Sequence, residues 1–84
     1  MKFLYTARFL RTYGKLETDV QDDVESAIDA FKLDIHCTHL KLHKLQGNMK
    51  QYYAFSANYS YRIIIKMEKG VTYFMDVGEH NIYK

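Results

Sequence analysis

Two histidines, an arginine and two lysines carry the chemistry that this 84-residue chain can do. They are Lys41 and His43 in the run Leu40-Lys-Leu-His-Lys-Leu45, Arg62 and Lys66 in Tyr61-Arg-Ile-Ile-Ile-Lys66, and His80 close to the C-terminus. An imidazole titrates near neutrality, so either histidine can take or give a proton. A guanidinium presents a fixed fork of donors that matches a phosphate. Proton transfer beside a bound anion is therefore the chemistry these residue types offer. Charge distribution points the same way. Residues 1–39 hold five Lys/Arg against seven Asp/Glu, whereas residues 40–84 hold seven against three. A basic C-terminal half on a chain of net charge +2 suits a local anionic partner better than general polyanion binding.

Other clusters offer less. Asp19, Asp22 and Asp23 open a helical segment, where the helix dipole favours carboxylates without any catalytic role. His36, Cys37 and His39 are ligand types, but their spacing matches no familiar zinc site. Cys37 is the only cysteine, so an intrachain disulfide is excluded and a reducing compartment is expected. No apolar run reaches the roughly 18 residues of a membrane span. The N-terminus lacks the long apolar stretch of a signal peptide. The expectation is a cytoplasmic protein with no membrane partner.

The elements that must position these residues follow from periodicity. Lys2 to Tyr5 is a short strand candidate. Thr6 can cap a helix to about Tyr13, closed by Gly14 at the C′ position, with Ala7, Leu10 and Tyr13 on its buried face. Thr18-Asp-Val-Gln21 has capping-box spacing. Val20, Val24, Ala27, Ile28 and Phe31 then recur at helical intervals. Leu40 to Leu45 alternates as a strand with a bulge or strand end near Lys44, which would project Lys41 and His43 together. Gln46 to Lys50 turns the chain, and Gln51 to Ala57 is a further strand. Tyr61, Ile63, Ile65 and Met67 share one face of the next strand, and Arg62, Ile64 and Lys66 the other. Glu68-Lys69-Gly70 reverses the chain as a three-residue connection with Gly at the left-handed position, and Val71 to Val77 returns. The order predicts a single α+β domain over residues 1–84. Two N-terminal helices cover one face of a mainly antiparallel four-stranded sheet, β-α-α-β-β-β. The uncovered face carries Lys41, His43, Arg62 and Lys66, with His80 at its end.

Three segments carry a family resemblance: Leu42-His-Lys-Leu-Gln-Gly47, Tyr61-Arg-Ile-Ile64 and Val77-Gly-Glu-His-Asn-Ile-Tyr83. In this order and spacing, over nearly the whole chain, the sequence resembles the RelE/ParE superfamily of bacterial toxins, and within it the RelE-type mRNA interferases. The resemblance implies a ribosome-dependent endoribonuclease that cleaves mRNA without a metal or a small-molecule cofactor. Its implied partners are the ribosome with its mRNA and a cognate antitoxin that silences it. His43, Arg62, His80 and Tyr83 fall on the family's catalytic positions, and Lys41, Lys44 and Lys66 would hold RNA. Many relatives carry Asp where this chain has Ser60 and Asn81, which weakens the case for His80 as a strong base. Relatives also exchange His, Lys, Arg and Glu among the catalytic positions, so base and acid are not carried over residue by residue. A non-catalytic gyrase poison of the ParE type, or an inactive binding relative, is the alternative on the same fold.

Overall fold

A computed structural model describes residues 2–45 and 52–79. The strands are β1 (Lys2–Tyr5), β2 (His43–Lys44), β3 (Tyr52–Ser56), β4 (Tyr61–Glu68) and β5 (Val71–Glu79). The helices are α1 (Ala7–Gly14) and α2 (Thr18–Leu33), and a short 3-10 helix spans Thr38–Leu40. The α+β layout holds, but the sheet has five strands rather than four, in the order β1-β5-β4-β3-β2. It is mixed, because β1 docks parallel to β5 while the other pairs are antiparallel. The crossover from β1 is long enough to allow this, since both helices intervene before the chain returns to the sheet.

The helices cover one face. Val24, Ala27, Ile28 and Phe31 of α2 and Phe9 of α1 pack with Phe55, Ile63, Ile65, Phe74 and Val77 of the sheet. The Phe31 ring stacks on Phe55 at 4.6 Å between centroids, which seats α2 over β3. Ile63 and Ile65 are fully buried, as the alternation in β4 predicts.

Details of the helix ends differ from expectation. Thr6 is the N-cap of α1, its hydroxyl accepting from the Phe9 amide at 3.1 Å. Phe9 supplies the buried face of α1, whereas Ala7 and Leu10 are exposed. Gly14 is the last helical residue, and the cap is Lys15 in a right-handed conformation, so no left-handed glycine closes the helix. Glu17, not Thr18, is the N-cap of α2 and makes no side-chain capping bond. Gln21 instead sends its side-chain amide to the Tyr13 carbonyl at 2.9 Å, tying the two helices together.

The β4–β5 connection is a two-residue turn. Lys69 and Gly70 both have positive φ, 50° and 80°. A turn left-handed at both positions matches the twist of the flanking strands, which is why it replaces the expected three-residue loop.

The register of β5 breaks once. Ile64 pairs with Asp76 but Ile65 pairs with Phe74, so Met75 is the extra residue of a β-bulge. In plain alternation Phe74 and Asp76 would share a face. The bulge separates them, sending Phe74 into the core and Asp76 to the opposite face. Thr6 secures the bulge: its hydroxyl lies 2.9 Å from the Phe74 carbonyl and 3.1 Å from that of Met75.

Candidate active site

The face away from the helices has its own small apolar cluster, Leu45, Ala54 and Ile64, with Tyr52 and Met75 against it. The polar groups stand around this cluster, in rows set by the register. His43 pairs with Ala54, Ala54 with Ile64, and Ile64 with Asp76, so these four positions cross the sheet in one line. The next line is Ser56, Arg62 and Gly78, and the line on the other side is Tyr52, Lys66 and Tyr73.

Arg62 is the most enclosed of the described candidates, with 8% of its surface exposed. Its partner on β5, Gly78, has no side chain to fill the space beside it. A buried guanidinium is rare unless its donors are engaged, and Arg62 does have interaction partners. Asp76 is its diagonal neighbour on β5 and is also buried. One Asp76 oxygen accepts from Arg8 Nε at 3.1 Å and the other from the Val77 amide at 2.9 Å. Arg8, at the start of α1 just after β1 ends, thus holds this carboxylate. Asp76 and Arg8 were not among the residues predicted for the site.

His43 is exposed on the short edge strand β2. Its Nδ1 lies 2.9 Å from the Lys41 carbonyl oxygen. A carbonyl can only accept, so Nδ1 carries the hydrogen and the neutral ring has its lone pair at Nε2. That is the tautomer a general base needs. Lys41 makes this possible through its own backbone, at φ 53° and ψ 45°, just after the 3-10 helix. A left-handed conformation is uncommon outside glycine and costs of order 1 kcal/mol.

The lysines separate. Lys41 is not in a strand, and Leu40 belongs to the 3-10 helix, so the alternating strand expected from residue 40 begins only at His43. Lys44 pairs with Tyr53, which packs into the helix-side core, so the register puts Lys44 on the face opposite His43. Lys66 is on the same face as Arg62, two pleats along β4, and pairs with Glu68 at 3.5 Å. His80, Asn81 and Tyr83 lie outside the described residues, as does the turn expected over 46–50. Among the described residues, no group of three or more His, Cys, Asp or Glu side chains is placed to hold a metal ion, and no helix is long and apolar enough to cross a membrane.

These features define a small two-layer α+β domain with a basic, partly buried site on the uncovered sheet face. No protein-family model matches the sequence, and no curated protein is significantly similar to it. Solved structures do match. The YoeB/ParE toxin from Agrobacterium tumefaciens superposes with a TM-score of 0.76 at 16% identity, covering 95% of this chain and 99% of that one. A YafQ variant from E. coli gives 0.75 at 15% identity, covering 96% and 94%. The RelB–RelE antitoxin–toxin complex from Methanococcus jannaschii gives 0.74 at 16% identity, covering 94% and 92%. The chain therefore has the fold of the RelE/ParE toxins over nearly its whole length.

Proposed function

We propose that this chain is the toxin of a type II toxin–antitoxin pair and acts as a ribosome-dependent mRNA endoribonuclease. The observation that carries this reading is that the register puts a buried Arg62 and a His43 whose Nδ1 is held by the Lys41 carbonyl on the same sheet face. RNA can be cleaved through its own 2′-hydroxyl. His43 Nε2 takes the 2′-proton, and the 2′-oxygen forms a bond to phosphorus. The bond from phosphorus to the 5′-oxygen breaks, leaving a cyclic phosphate, and an acid protonates the departing oxygen. Arg62 meets the charge that builds on the phosphoryl oxygens. His80 is the residue proposed for the acid, and Tyr83 for orienting the substrate. Lys41 and Lys66 attract the strand, and Lys44, on the other face, is left with a peripheral contact at most.

His43→Ala is expected to slow single-turnover cleavage of mRNA on programmed ribosomes by roughly a hundredfold. His43→Gln should be no better, since an amide cannot take the proton. Wild-type protein that cuts no message but abolishes DNA supercoiling would favour the gyrase reading instead.

The RelE structure solved with its RelB antitoxin suggests the partner. An acidic antitoxin segment lying over the Arg62–His43 face would neutralise it and exclude RNA. Co-expression with the antitoxin is expected to relieve growth arrest. Arrest that persists while a stable complex forms would show that inhibition does not work by masking.

A further inference from the structure

The β3–β4 connection presents an aromatic ring that the fold itself does not use. Tyr59 is 100% exposed, yet its backbone is held firmly. The Asn58 side-chain oxygen accepts from the Ser60 and Tyr61 amides, each at 2.8 Å. Its nitrogen donates to Asp23 of α2 at 2.9 Å. The Ala57 amide closes the turn on the Tyr61 carbonyl at 2.9 Å. A large ring left wholly in water adds nothing to the core, and a rigid mount lowers the entropy cost of binding something to it. Tyr59 borders a concavity of about 690 Å³ that is also lined by His39, Lys41, Ser56, Ser60 and Glu79. This space adjoins the site. Lys41 holds the His43 ring through its carbonyl, and Ser56 is the cross-strand partner of Arg62.

We propose that this concavity is a nucleotide subsite, taking the RNA residue next to the scissile phosphate with its base stacked on Tyr59. This rests on the ribonuclease reading above. The Lys41 ammonium faces the phosphate of that residue. The Ser56 and Ser60 hydroxyls and the Glu79 carboxylate provide acceptors for base amino and imino groups. Single-stranded RNA is bound elsewhere in this manner, by an aromatic platform with cations along the backbone.

The test is single-turnover cleavage on programmed ribosomes, with wild-type protein, Tyr59→Ala and Tyr59→Phe. Each is paired with messages carrying one abasic residue, stepped through the positions flanking the cut. Tyr59→Ala is expected to lower cleavage at subsaturating protein by roughly five- to hundredfold, with little effect at saturation, and Tyr59→Phe to remain near wild type. An abasic residue at one flanking position should cost the wild type the same factor and cost Tyr59→Ala nothing further. Wild-type cleavage with Tyr59→Ala unchanged, or with fully additive losses, overturns the subsite and leaves the ribonuclease reading standing. A Tyr59→Ala that cleaves normally but loses affinity for the antitoxin gives the concavity to the protein partner and also overturns it. Absence of cleavage by the wild type brings down both.

Discussion

Arg62→Ala is expected to lower single-turnover cleavage by about two to three orders of magnitude, the loss seen when one positioned donor to a developing oxyanion is removed. The size follows from where Arg62 sits. Its surroundings are largely dry, and attraction between a guanidinium and phosphoryl oxygens is much stronger there than in water. The side chain is also placed in advance by β4, so little reorganisation accompanies the reaction. Arg62→Lys keeps the charge but loses the planar fork, and should recover only part of the rate. A buried arginine also contributes to the fold, so thermal melts must accompany the kinetics. A variant that melts like wild type yet cuts a hundredfold more slowly supports the role. Near wild-type cutting by an intact Arg62→Ala would remove it from the site.

The second large effect is on stability. Ile65→Ala should destabilise the domain by about 2–5 kcal/mol, measured by urea unfolding at equilibrium. Ile65 is fully buried in the helix-side core, opposite Phe74 on β5 and Tyr53 on β3. The aromatic side chains around it, including stacked Phe31 and Phe55, cannot all close over the space left by three missing carbons. A domain this small has a total stability of roughly 4–12 kcal/mol, so the substitution consumes a large part of it. A loss well under 1 kcal/mol would mean that the helices do not press on this face as described.

The placement of the candidate site residues was partly legible in the sequence because alternation in a strand is a local property. Arg62 and Lys66 fall on one face of β4, and Ile63 and Ile65 on the other, whatever the strand pairs with. The run from Leu40 to Leu45 misled for a related reason. Its pattern suits a strand, but Lys41 adopts a left-handed conformation after a 3-10 turn, and only His43 and Lys44 join the sheet. Alternation inside that two-residue strand then separates the side chains of His43 and Lys44, although both read as basic neighbours.

Thr6 at the start of α1, the apolar stripe of α2 and the reversal at Lys69-Gly70 were determined by the sequence itself. Each depends on contacts or backbone preferences within a few residues. The tertiary structure decided what depends on distant partners. It docked β1 parallel to β5, and it joined the two-residue β2 to β3, so that four strands rather than three follow the helices. It drew Asn58 to Asp23, 35 residues away, and so fixed Tyr59 in the open. It placed the bulge at Met75, held by Thr6 from the other end of the chain, and thereby sent Asp76 to the side of Arg62. A bulge shifts one residue of register, and one residue is half the period of a strand. No local pattern in Val71 to Glu79 records that shift, because the groups that fix it are 68 and 69 positions away.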